Sequence, residues 1–218
     1  MKMICRFWRS AANVENSNYK NNSAMNSPDA KKIYIVHGYK ASPNDHWFPW
    51  LSRKLQLAGH FSKRVMLAQS SQPDFEAWQK FLALQIPELD EDTIIVAHSL
   101  GCLAALHYLN QRFQAAGGSI KAGIFAAGFK APLPGAPELN SFIHQARLDS
   151  AALQHHMPLA FSLLSSNDPV VPPPLTLQLG HFLNAQTYEV KQAGHFMRGD
   201  GYAEFHEVWE LIKPLLDG

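Results

Sequence analysis

A serine at position 99 lies within TIIVAHSLGCLAAL (93–106), where an apolar run meets the start of a helical pattern. A strand entering a helix through His-Ser-Leu-Gly makes a sharp turn that exposes the serine at the C-terminal edge of a sheet, and small residues two positions to either side keep that turn free of clashes. Ala97 and Gly101 occupy those positions, so the pattern reads Ala-x-Ser-x-Gly where Gly-x-Ser-x-Gly is usual. A serine hydroxyl attacks a carbonyl only when a base takes its proton, and the base needs an acid to hold its tautomer and stabilise its charged form. FSLLSSNDPVVP sets Asp168 just past an apolar run, in a turn closed by Pro169, and YEVKQAGHF sets His195 just past the last such run, after Gly194. The order Ser99, Asp168, His195, each on a loop at a strand's C-terminal end, suits acyl transfer through a nucleophile, an acid and a base. Such chemistry also needs two main-chain N–H groups aimed at the developing oxyanion. Leu100, at the helix start, is placed to supply one, and IVHGYKAS after the first apolar run, where Gly38 permits a close backbone approach, offers the other.

Each of these residues has a plainer reading. Asp168 could cap a helix beginning near Pro173, and without Ser99 and His195 that would be preferred. His206 rivals His195 but falls inside a C-terminal helical pattern; Asp149 is a substitute acid outside a clear strand end; Asp200, in RGDG, reads as a turn residue. His98 reads as packing beside the serine, and Cys102 as a small core residue. The eleven histidines, with His155-His156 adjacent, raise a metal site. Adjacent side chains diverge, however, and neither a His-Glu-x-x-His run nor a cysteine pair completes one, so no metal is expected.

The elements that must position these groups follow from periodicity. Short apolar runs at KIYIV (32–36), RVML (64–67), TIIVA (93–97), AGIFAA (122–127), LAFSLL (159–164) and QTYEV (186–190) alternate with helical spacing. That alternation predicts an α/β fold with a mostly parallel central sheet and helices on both faces. Asp45 is placed to cap a helix in HWFPWLSRKLQLAG, with Trp47, Trp50, Leu51 and Leu55 on one face; DFEAWQKFLALQI (74–86) repeats the pattern, and helices are expected at 100–115, 174–184 and 203–216. The segment 128–158 leaves room for a short cap at most, with Leu133, Leu139, Phe142 and Ile143 as candidate pocket lining.

Composition narrows the partners. Nineteen basic residues against eighteen acidic give a formal charge of +1, too little for the broad attraction that nucleic acid or an anionic membrane needs. No apolar run reaches the ~18 residues of a membrane span. Two cysteines, Cys5 and Cys102, are too few for a disulfide framework, which points to a reducing cytoplasm. Residues 1–30 are rich in Asn and Ser without apolar periodicity and are expected to be a flexible extension, with 31–218 the folded domain. Met25 is a candidate start, which would make the preceding stretch a start-site artefact; a weak targeting peptide is the other reading, since Lys2, Arg6 and Arg9 come without an acid.

From Lys31 onward the chain resembles the α/β-hydrolase superfamily. Within it, VHGYKASPNDHWFPWL, AHSLG, SSNDPVVP and GHF resemble the small serine-hydrolase family named for retinoblastoma-binding protein nine, especially its bacterial members. The resemblance implies a compact hydrolase without metal or cofactor that carries its catalytic triad on Ser99, Asp168 and His195, and His37-Gly38, which resembles the His-Gly loop of these enzymes, would present the Tyr39 N–H as the second oxyanion donor beside that of Leu100. The expected activity is hydrolysis of small or short-acyl carboxylic esters. Amide or peptide cleavage by the same triad is the near alternative, and a protein-binding module that keeps the hydrolase fold is the other.

Overall fold

The computed structural model describes residues 29–217, so the expectations for Cys5, Met25 and most of the 1–30 segment fall outside the described residues. Six strands, β1 (Lys32–Val36), β2 (Phe61–Val65), β3 (Thr93–His98), β4 (Ala122–Ala126), β5 (Leu159–Ser165) and β6 (Gln186–Val190), form one sheet in the order β2-β1-β3-β4-β5-β6. Every pairing is parallel. The central strands are buried on both faces because alternate residues serve opposite layers. Ile33, Ile35, Ile94, Val96 and Ile124 pack beneath α1 (Phe48–Leu57) and α7 (His206–Leu216). Tyr34, Val36, Ile95, Ala97 and Phe125 pack beneath α2 (Phe75–Gln85), α3 (Leu100–Ala116) and α6 (Pro173–Phe182).

Chain order reverses between β1 and β3. The connection after β1 passes to α1 on one face, while β3 passes directly into α3 on the other. Neighbouring loops that leave a parallel sheet in opposite directions open a crevice at its carboxyl edge, where open α/β sheets bind their ligands. The loop after His37 and the turn at Ser99 therefore meet there.

Several boundaries differ from the sequence reading. β2 occupies 61–65 rather than 64–67. At the sheet edge Phe61 meets Tyr34 edge-on while Met66, counted as strand by its hydrophobicity, is exposed. α1 starts at Phe48, later than the Asp45 cap predicts; the Asp45 carboxylate instead accepts the Ser42 N–H at 2.7 Å, and Pro49 opens the helix. Trp47 and Phe48 are fully buried, whereas Trp50 is half-buried beside Lys54 and His206. α2 begins as expected, with Asp74 accepting the Ala77 N–H at 2.7 Å. α7 begins at His206 rather than 203, after a short 3-10 turn at Arg198–Asp200. The β4–β5 connection holds a 3-10 turn (Pro137–Leu139), α4 (Asn140–Gln145) and α5 (Ser150–His156), which makes the cap short.

The outer strand β6 differs from its neighbours. Gln186, Tyr188 and Glu189 are exposed, and only β5 pairs with it.

Candidate active site

Ser99 joins β3 to α3 with φ 53° and ψ −129°, a positive φ that costs a side-chain-bearing residue about 1–3 kcal/mol. Two main-chain bonds fix it: the Ser99 N–H donates to Ala126 O at 2.9 Å, and its own carbonyl accepts the Cys102 N–H at 2.9 Å. Two glycines let neighbouring backbone approach. A Cβ on Gly101 would lie 2.3 Å from the His37 carbonyl oxygen, and one on Gly38 would lie 2.9 Å from both Ser99 Cβ and the His98 carbonyl. Ala97, where glycine is usual, lies inside β3 and buries its methyl in the apolar layer under α3. The turn therefore keeps its shape without glycine there.

The structure brings Ser99, Asp168 and His195 into one hydrogen-bonded chain. His195 Nδ1–H donates to Asp168 Oδ2 at 2.8 Å, which leaves Nε2 to accept the Ser99 hydroxyl at 3.0 Å. All three side chains are buried. The other Asp168 oxygen accepts the N–H groups of Val170 and Val171 at 2.8 and 2.9 Å, so the carboxylate is oriented by its own turn. That Asx turn replaces the helix-capping role: α6 begins beyond it, after Pro172.

The acid and histidine loops are joined by residues that sequence reading passed over as a polar turn. Asn167 Oδ1 accepts the Gly194 N–H at 2.9 Å, Ser165 Oγ accepts the Ala193 N–H at 3.1 Å, and Ser166 Oγ accepts the Gln192 N–H at 2.9 Å. Asp200, read as a turn residue only, accepts the N–H groups of His195 and Met197. His98, read as packing, donates from Nε2 to the His195 carbonyl at 2.8 Å.

On the other side of Ser99, the loop after β1 is held by His37. Its Nε2 accepts the Leu67 N–H at 3.1 Å, so Nδ1 carries the proton and donates to Gly38 O at 3.0 Å. The next residues are anchored by the Lys40 N–H donating to Ser70 O at 2.9 Å. The backbone of Gly38 thus lies against the turn between Ser99 and Leu100, with Tyr39 following it. The Tyr39 hydroxyl donates to Glu138 at 3.2 Å across a recess of about 410 Å³ whose wall also includes Leu139, Gln72 and Asp74.

The four candidate lining residues separate. Leu139 faces that recess, and Ile143 faces a second one of about 180 Å³ with Leu103 and Phe182. All four are buried in one apolar cluster, but Leu133 and Phe142 border neither recess, Phe142 meeting Phe75 and Trp78 edge-on. Apolar spacing does not distinguish a pocket wall from a core. Asp149 caps α5 by accepting the N–H groups of Ala151 and Ala152. His206 is exposed and paired with Glu204. Cys102 is a buried free thiol whose S–H faces Ala126 O at 3.6 Å, and burial pushes its pKa well up. His155 and His156 meet edge-on, with His156 stacked on Phe113 and bonded to Gly118 O. No group of three or more His, Cys, Asp or Glu is placed to hold a metal among the described residues, and no helix there is long and apolar enough to cross a membrane.

Burial holds the imidazoles of His98 and His37 below the ordinary histidine pKa of 6.5. In the unfolded chain both take up a proton near that value, whereas the folded chain does so only at lower pH. Their stabilising contribution is therefore complete above about pH 6.5 and falls as pH drops below it, by at most about 1.4 kcal/mol per pH unit for each histidine. Melting temperature is expected to fall between pH 7.5 and pH 5.5 and to be flat from 7.5 to 8.5. A flat profile across both intervals would mean that these rings are not buried neutral.

Comparison with known proteins identifies the family of the chain. Residues 33–214 match the family model described as Serine hydrolase. YdeN of Bacillus subtilis (strain 168) is 35% identical over 189 residues, 84% of this chain and 94% of YdeN. The crystal structure of the ydeN gene product matches with a TM-score of 0.79 at 30% identity, over 87% of this chain and 100% of that one. Serine hydrolase RBBP9 of Rattus norvegicus is 25% identical over 196 residues, 88% of this chain and 98% of its own length. Alpha/beta hydrolase domain-containing protein 10 from mouse shares the fold, with a TM-score of 0.61 at 18% identity, over 88% of this chain and 91% of that one. With the family match spanning nearly all of the described sheet and helices, the chain belongs to the serine hydrolase family and is built on the α/β-hydrolase fold.

Proposed function

We propose that this hydrolase cleaves small or short-acyl carboxylic esters, with Ser99 as nucleophile, His195 as general base and acid, and Asp168 as the orienting acid. The observation that carries the reading is the continuous bond chain from Ser99 Oγ through His195 to Asp168, set against a turn that neighbouring backbone can reach only because Gly38 and Gly101 lack side chains. Ser99 Oγ attacks the carbonyl carbon as its proton passes to His195 Nε2, and the Asp168 carboxylate stabilises the imidazolium. Charge on the carbonyl oxygen is met by the N–H groups of Tyr39 and Leu100, a type of contact worth about 2.7–4 kcal/mol per donor. Collapse expels the alkoxide, which takes the proton from Nε2. Water, deprotonated by His195 Nε2, then attacks the acyl-enzyme carbonyl, and as the bond to Ser99 Oγ breaks the imidazolium returns its proton to Oγ, which frees the acid and restores Ser99. The mechanism uses no metal or cofactor.

Esters are preferred to amides because an alkoxide leaves more readily than an amine. Short acyl groups are preferred because the β4–β5 connection turns Leu133 and Phe142 into the core instead of raising a lid over the site. A small-molecule substrate is the partner in this reading, and the content of only two cysteines fits a cytoplasmic setting.

A series of p-nitrophenyl esters from acetate to palmitate tests the substrate class. kcat/KM is expected to be highest for the two- to four-carbon acyl groups, to exceed that of the matching p-nitroanilide, and to show no jump when the substrate forms an emulsion. A maximum at long chains would refute the short-acyl reading, and faster anilide cleavage would make the protein an amidase.

A further inference from the structure

We infer that His98 and Asp200 clamp the main chain of His195 from both sides and so set how its imidazole meets Ser99, acting as positioning residues for the hydrolysis. The inference rests on the triad reading above. One carboxylate oxygen of Asp200 accepts the His195 N–H at 2.9 Å and the Met197 N–H at 3.0 Å, gathering the chain where Phe196 takes φ 54°. Gly194 makes that approach feasible: it has φ 58°, and a Cβ there would lie 2.3–2.7 Å from the Asp200 carboxylate. Asp200 itself is exposed, so water screens its charge and its contribution is the fixed position of an acceptor.

The opposite side of the same peptide is held from β3. His98 Nε2–H donates to the His195 carbonyl at 2.8 Å, and His98 directly precedes Ser99 in the chain. The base is therefore tied, through one side chain, to the strand end that carries the nucleophile. The His98 ring is walled by His46, Trp47 and Phe48 at 5.9–6.2 Å between centroids and lies 4.8 Å from the His195 ring. Burial keeps it neutral, the form in which Nε2 is the donor and Nδ1 carries none. His98 Nδ1 is buried without a hydrogen-bond partner among the described residues. An apolar ring would fill this aromatic nest without leaving such an atom unpaired, so packing alone does not account for an imidazole here. The N–H directed at His195 does.

The test measures kcat and KM on p-nitrophenyl acetate for Asp200→Ala, Asp200→Asn, His98→Phe and His98→Gln, at a temperature where circular dichroism shows each to be folded. Asp200→Ala and His98→Phe are expected to lower kcat by about 10- to 100-fold, the scale of a misplacement near 1 Å, with KM within about threefold. Asp200→Asn and His98→Gln, which keep an acceptor or a donor at the same reach, are expected to restore most of the loss. In a His195→Ala background, Asp200→Ala should cost nothing further, because a residue that acts through His195 has no effect once the imidazole is gone. Equal losses in both backgrounds, a KM effect alone, or wild-type kcat in both Asp200→Ala and His98→Phe would overturn the clamp while leaving the triad reading intact. Wild-type turnover in His195→Ala would remove the triad reading and the clamp with it. If Asp200→Ala does not fold, His98→Phe, a ring of similar size in the same aromatic nest, carries the same comparison.

Discussion

Ser99→Ala is expected to abolish turnover of short esters, by about 10⁶-fold on the scale seen when a subtilisin loses its nucleophile, and to abolish covalent labelling by a fluorophosphonate. The reagent reacts with a serine only where a base and oxyanion donors raise its reactivity above that of surface hydroxyls. One adduct should form in the wild type, map by mass spectrometry to the peptide containing Ser99, and weaken by orders of magnitude in His195→Ala. Removing the hydroxyl leaves Ser99's two fixing bonds intact, since both are main-chain contacts, and the fold should survive. A folded wild-type protein that resists the label would sink the nucleophile assignment and favour a binding module on the same fold. Labelling that persists in Ser99→Ala would point to another serine.

The second large effect concerns the acid. In Asp168→Asn the new amide oxygen can still accept the Val170 and Val171 N–H groups, which leaves the NH2 facing His195 Nδ1, where Asp168 Oδ2 now accepts a proton. The imidazole would then have to accept at Nδ1 and carry its proton on Nε2, unable to take one from Ser99. The equivalent change in a serine protease costs about 10⁴-fold in turnover, and a loss of that order is expected here with little change in KM. Asp149→Asn should be nearly silent, because Asp149 caps α5 and asparagine caps a helix about equally well. If Asp149→Asn proved the more damaging of the two, Asp168 would not be the acid.

Legibility in the sequence tracked how local each cause is. All strands but β2 followed from short runs of strand-forming residues, and α2 began where Asp74 predicts, because capping is decided within four residues. Ser99, Asp168 and His195 stand out through signals in their own turns, namely the small flanking residues, Pro169 and Gly194. Asp45 carried the same type of signal as Asp74 but spent its carboxylate on Ser42, a choice settled by how the loop packs. Apart from Asp200, five positions away, the supports around His195 had no local mark. His98 reaches it across 97 positions, and Ser165, Ser166 and Asn167 reach the 192–194 segment across 26 to 28, so only the sheet's order reveals that they meet. Phe142 and Leu139 illustrate the same limit for apolar groups, since both are buried large apolar side chains of one cluster and only Leu139 also borders a recess.

The outer strand has a consequence for how this molecule ages under stress. Ser99 hangs from β3, deep in the sheet with neighbours on both sides, but His195 follows β6, which has a neighbour on one side only and three solvent-facing side chains. Edges of this kind open at lower free-energy cost than the interior. A fluctuation that frees the last strand loosens the chain that leads into the base, while His98, Asp168 and the Ser165–Asn167 turn still hold it and the remaining five strands stay paired. Strain at that edge is then absorbed first in the geometry of the base, before the central strands that carry the nucleophile give way.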